Sequence, residues 1–277
     1  MSYRSIMVPV NGIDDASVAL ALAFGLGQRF DGQVVAVHTA VDPGTSLPYL
    51  GEGMSGGVVE EMLAALDREA GQRAEAAHAA FDAAQQAAAE VAGRFVVFTG
   101  REEDVVAERG RLADLVVTCR PAEESAIGES PTLHAAIMET GRPMLVAPPR
   151  PPKTLGASVV VAWNGSPQAA RALGAALPLM QEAAAITLVS IDEGEPREPG
   201  PQDAAEYLAA HGHQSKVHII EAGQLEVGEA LLLEARAHGA DLLVMGAYTH
   251  SRIRELILGG ATQEALWGAE VPLLMAH

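Results

Sequence analysis

The sequence predicts two α/β units, each a parallel-type sheet with helices on both faces, joined by a short stiff linker. Three observations carry this. Apolar strand-like runs alternate with alanine- and leucine-rich helical stretches, the order that builds right-handed crossovers between parallel strands. The order is written twice: SIMVPVNG at residues 5–12 is matched by SVVVAWNG at residues 158–165. Between the copies, residues 148–152 read PPRPP, a stretch that continues neither a helix nor a central strand. Residues 1–148 and 156–277 are therefore the two units, and residues 149–155 the linker. Several segments recurring in one order outweigh any single motif.

Each half reads strand, helix, strand, helix, strand, helix, strand, helix, strand. In the first, the strand at 5–12 and an alanine- and leucine-rich helix lead to a strand at 34–38. A long alanine-rich helix is predicted over 60–92, a strand at 95–98, a helix at 102–109 and a strand at 113–117. Ser130 reads as the cap of the next helix, with Pro131 at its first position and Gly141 near its end. The strand at 144–147 closes the half. In the second, strands are predicted at 186–190, 216–221, 241–245 and 273–276, and helices at 204–211, 227–238 and 261–267. Residues 193–202, EGEPREPGPQ, read as a polar loop broken by proline.

Composition bounds the function. At 277 residues and 49% hydrophobic content, the chain has material for real cores. The formal net charge of −18 repels a phosphate backbone at long range, which argues against nucleic acid and anionic membranes as partners. Cys119 is the single cysteine and forms no internal disulfide, so the predicted compartment is reducing, with the cytoplasm the default. No apolar signal segment opens the chain, and no unbroken run of eighteen apolar residues occurs to span a membrane.

The stretch ADLLVMGAYTHSRIRELILGGATQ, residues 240–263, carries the most specific signal. An apolar strand ends at Gly246, and Gly259 and Gly260 precede a short helix beginning near Ala261. Successive glycines let backbone N–H groups approach an anion, and a helix start adds unpaired donors and a positive dipole end. Arg252 and Arg254 supply local cations in an otherwise acidic chain. The same glycines also read as turn and cap residues.

The repeats resemble the universal stress protein family in its tandem form, across nearly the whole chain. The resemblance implies two Rossmann-like domains of the adenine nucleotide alpha hydrolase type, each with a five-stranded sheet. In nucleotide-binding members the fourth strand is followed by glycine, two residues, glycine, nine residues, glycine and then serine or threonine. Here Gly246 and Gly259 match, Thr249 replaces the second glycine, and Gly260 replaces the hydroxyl residue. A β-branched residue is a poor choice where positive φ or close phosphate approach is needed. Loss of the hydroxyl costs about 1 kcal/mol of binding.

The resemblance further implies ATP or a related adenine nucleotide in the second half. Gly246, Gly259, Gly260 and Ala261 would contact phosphates, aided by His250 or Arg252. Asn164 stands where family members carry a ribose-binding aspartate, and Val189 and Met245 would meet the adenine face. Asn164 also reads as the cap of the helix that follows it. The first half, with Asn11 at the strand tip and Cys119 in place of the first glycine, is expected to bind no nucleotide. The closing strands, 144–147 and 273–276, are expected to pair within one molecule as a pseudo-dimer, which removes two exposed apolar edges; further dimerisation stays open.

The predicted function is a cytoplasmic stress-response regulatory or protective binding protein. Two alternatives stay open: a nucleotide-free protein interaction module with an unknown client, and a weak adenine-nucleotide hydrolase with His250 as the candidate base. No catalytic residue and no metal site is assigned, since the nine histidines form no readable triad and no nucleophile elbow, Walker lysine or H-E-x-x-H occurs. His211 and His213 read as solvated loop residues.

Overall fold

A computed structural model of the chain describes residues 2–13, 15–40, 56–120, 130–192, 194, 198–221, 223, 225–247 and 260–277. The first half runs β1 (Ser5–Pro9), α1 (Ser17–Phe30), β2 (Gln33–Ala40), α2 (Gly56–Ala87), β3 (Ala92–Thr99), α3 (Glu102–Gly110), β4 (Leu115–Thr118), α4 (Pro131–Met138) and β5 (Met144–Val146). The second runs β6 (Ser158–Ala162), α5 (Pro167–Ala176), a short 3₁₀ turn (Leu177–Met180), β7 (Ala185–Asp192), α6 (Pro201–Ala210), β8 (Lys216–Glu221), α7 (Val227–Ala237), β9 (Leu242–Gly246), α8 (Gly260–Gly268) and β10 (Leu273–Ala276). The alternation predicted for each half is present in full.

The strands form one sheet in the order β3-β2-β1-β4-β5-β10-β9-β6-β7-β8. Both halves share a single internal order, and they join where β5 and β10 lie antiparallel, Leu274 opposite Leu145. The expected pairing of the closing strands is thus the seam of a continuous ten-stranded sheet. All other neighbours are parallel. Because parallel strands are covered on both faces, β4, β5 and β10 are buried along their whole length.

Two apolar layers flank the sheet. One holds buried residues of α1, α2, α5 and α6, among them Phe24, Phe81, Leu173 and Leu208; the other holds those of α3, α4, α7 and α8, among them Val106, Ile137, Leu231 and Leu266. Each layer draws on both halves, so the seam lies inside the core. Arg29 donates to the carbonyls of Leu155 and Leu179 at 3.0 and 3.1 Å, the Tyr3 hydroxyl donates to the Ala175 carbonyl, and Arg120 lies over the Trp267 ring at 4.8 Å.

The capping prediction at Ser130 holds: its side chain accepts from the Leu133 N–H, with Pro131 leading the helix. Gly141 has φ +66°, as a chain reversal after a helix requires. The long helix α2 is displaced from its predicted span: it begins at Gly56 and ends at Ala87, and residues 88–90 form a turn before β3. The Gln85 side chain ends it by donating to the Val91 carbonyl at 2.9 Å. Among the described residues no helix is long and apolar enough to cross a membrane.

Candidate functional site

Within the second half the strand order reverses between β6 and β9, which run parallel with Val161 beside Val244. In open α/β sheets, ligands bind at the carboxyl ends of the strands flanking such a point. Two of the residues singled out in the sequence lie at these ends: Asn164, just beyond the end of β6, and Gly246, the last residue of β9.

The turn at Asn164 is built locally. The Asn164 Oδ1 accepts from the Ser166 N–H at 3.2 Å, Gly165 supplies φ +71°, and the Ser166 hydroxyl accepts from the Ala169 N–H at 3.1 Å. Ser166 is therefore the cap of α5, with Pro167 at the first helical position. The reading of Asn164 as the cap is corrected: its side chain closes a turn two residues ahead instead, a habit of asparagine. Its carbonyl oxygen keeps a second lone pair for a ligand donor.

Gly246 has a packing reason to be glycine. A Cβ there would stand 2.6 Å from the Ala169 nitrogen and 2.8 Å from the Gln168 carbonyl carbon, so α5 approaches β9 through a space that any side chain would fill. The first half departs at this point. Its helix α1 starts only at Ser17, with Ala16 as an N-cap lacking a side-chain hydrogen bond, and Cys119, half-buried, stands where the second half has Gly246.

Val189 and Met245 lie 1% and 5% exposed, within the layer that contains α7 and α8. Gly260 opens α8 and is exposed; Ala261 follows it, half-buried. Beneath them the Glu264 carboxylate accepts from the Gly228 N–H at 3.2 Å, placing the start of α7 against α8 and complementing its dipole. Thr249, His250, Arg252 and Gly259 lie outside the described residues.

The equivalent place in the first half is covered. Asn11 repeats the turn, its Oδ1 accepting from the Ile13 N–H at 2.9 Å, with Gly12 at φ +74°. A Cβ on Gly12 would lie 2.0 Å from the Arg73 carbonyl oxygen, because α2 crosses directly above. The cavity left beside Asn11, His38, Leu66, Arg73 and Glu102 measures about 110 Å³, well under the ~300–1,000 Å³ of small-molecule sites. Nothing in the local sequence signals this cover, since α2 reaches its position through tertiary packing.

These features define an α/β protein of two like units, each reversing its strand order where such sheets hold ligands. The chain belongs to the universal stress protein family, which matches residues 2–123 and again residues 157–277. In fold it is similar to a universal stress protein from Archaeoglobus fulgidus, 14% identical, over 99% of this chain and 97% of that one, with a TM-score of 0.71. A functionally unknown protein from Pseudomonas aeruginosa is similar over 98% of this chain and 92% of its own, at 14% identity and a TM-score of 0.60. No curated protein matches the chain in sequence.

Proposed function

We propose that this tandem universal stress protein is a cytoplasmic regulatory or protective binding protein whose second half holds ATP or a related adenine nucleotide. The observation that supports this reading is that Asn164 and Gly246 lie at the carboxyl ends of β6 and β9, the adjacent parallel strands between which the strand order reverses. Asn164 would take the ribose, Val189 and Met245 would border the adenine, and the donors of Gly259, Gly260 and Ala261 would receive phosphates, with His250 or Arg252 adding positive charge. The role is binding rather than catalysis.

Calorimetric titration of ATP into nucleotide-stripped protein tests it. One equivalent is expected to bind, and to be lost when Gly259 carries a bulky side chain. Absence of heat, with no nucleotide released from untreated protein on denaturation, overturns it. Thr249, in place of a glycine, favours the second reading, a nucleotide-free module that engages a protein client; under it, Thr249→Gly creates ATP binding that the natural chain lacks. Steady loss of the ATP γ-phosphate, abolished by His250→Ala, would instead mark a hydrolase.

A further inference from the structure

On the outer edge of the second half, far along the sheet from the β5–β10 seam, three donor side chains converge. The Nε2 atoms of His218, on β8, and of His238, at the end of α7, stand 3.5 and 3.4 Å from the same Oε2 of Glu234. All three donor atoms lie within 4.8 Å of one another.

The local structure explains the meeting. Glu234 and His238 are one turn apart and share a helix face. On β8, alternation turns Val217 toward the α5 and α6 layer and Ile220 toward the α7 layer, so His218 faces α7 as well. His238 is held in place by its backbone: its N–H donates to the Glu234 carbonyl at 3.0 Å, and its own carbonyl accepts from the Ser158 hydroxyl at 3.2 Å. The two imidazole rings meet edge to face, 5.6 Å between centroids.

We propose that His218, Glu234 and His238 form a Zn²⁺ site, with water as the fourth ligand. Bonds of about 2.0–2.2 Å from zinc to nitrogen and oxygen set the edges of the coordination tetrahedron near ~3.3–3.5 Å. Both histidine-to-glutamate separations have that length, whereas a charge-assisted hydrogen bond would draw the same atoms to about 2.7–2.9 Å. Two imidazoles and one carboxylate are a donor set suited to zinc, and a poor one for Mg²⁺ or Ca²⁺, which demand oxygen.

The internal repeat supplies an independent argument. Val96 pairs with Val37 across β3 and β2 as His218 pairs with Val189 across β8 and β7. Arg111 follows α3 in the capping position that His238 takes after α7. Ala107 stands where α7 has Glu234. The same strand and helix thus pack without any of the three ligands, so the architecture does not require them. Their side chains are 46%, 20% and 33% exposed for His218, Glu234 and His238, so an ion reaches them from solvent. Once bound, it fastens α7 to the edge strand of the sheet.

The test is calorimetric titration of ZnCl₂ into chelator-treated full-length protein, with Co²⁺ replacing zinc for a visible spectrum. One equivalent should bind, Co²⁺ should give the intense absorption of a tetrahedral ion, and His218→Ala and His238→Ala should each weaken binding at least ~tenfold, the scale seen when metal sites are perturbed. Apo variants must keep the natural helical signal and melting temperature. A double variant, His211→Ala with His213→Ala, should bind as the natural chain does. Zinc affinity unchanged in both single variants, an octahedral cobalt spectrum, or equal binding of Mg²⁺ would overturn the proposal.

Discussion

Asp114 and Asp241 hold equivalent positions in the two halves and make the same contact. The Asp114 carboxylate accepts from the N–H groups of Arg4 and Ser5 at 2.8 and 2.9 Å. The Asp241 carboxylate accepts from Gly156, Ala157 and Ser158 at 3.0, 3.1 and 2.9 Å. In each half the residue just ahead of the fourth strand therefore satisfies the backbone that enters the first. Hydrogen bonds to a charged group are worth ~1.5–3 kcal/mol each before screening, and both side chains are partly exposed. Asp241→Ala is expected to cost about 2–3 kcal/mol in urea unfolding, and Asp241→Asn, which keeps one acceptor, about half as much.

The glycines of the crevice separate by function. Gly246→Ala drives a methyl group into the first turn of α5 and should cost about 1–3 kcal/mol, the usual range for overpacking. Among the described residues, a Cβ on Gly260 would have Glu264 Oε1, at 3.8 Å, as its nearest neighbour. Gly260→Ser should leave stability unchanged and, if phosphates sit at the start of α8, raise ATP affinity about fivefold, the equivalent of ~1 kcal/mol for one hydrogen bond. Calorimetry on the two variants reads both effects.

Tyr3 couples the halves to pH. Its hydroxyl donates to Ala175 in the other half, and burial, reinforced by the Asp114 carboxylate, pushes its ionisation far above the ordinary tyrosine value. A raised folded-state pKa means that the stabilisation is complete below about pH 10, where the unfolded chain begins to ionise, and fades as pH rises further. Urea midpoints should fall above pH ~10 in the natural chain and fall less in Tyr3→Phe. The native protein should also retain one tyrosine that resists spectrophotometric titration at that pH.

The covered crevice of the first half predicts one-sided labelling. A photoreactive ATP analogue should crosslink to peptides of the second half alone, because α2 lies on Gly12 and leaves about 110 Å³ beside Asn11. Adenine crosslinked to peptides around Asn11 or His38 would show that α2 lifts away.

Element order was legible because the apolar periods switch between strand and helix at glycine, proline and capping residues, and because each signal occurs twice. The seam was legible through the family resemblance, which implies association through the last strand, and an exposed apolar edge at 144–147 or 273–276 would otherwise have invited aggregation. What escaped depended on distance along the chain. Asn164 read as the cap of the helix that follows it, and the structure gives that role to Ser166 instead. His218 is separated from Glu234 and His238 by a loop and most of a helix, so no spacing rule joins them. The E-x-x-x-H pair on α7 was the one local sign. The cover over Asn11 follows from the path of α2, which amphipathic pattern does not specify.

The antiparallel seam between β5 and β10 has a genetic as well as a mechanical meaning. Joining the halves in one chain raises the local concentration of each for the other far above what separate subunits reach, and the seam consumes both closing strands. Every molecule contains one of each half. A change that closes the crevice of the first half is thereby never inherited by the second, so the two halves are free to diverge within one molecule.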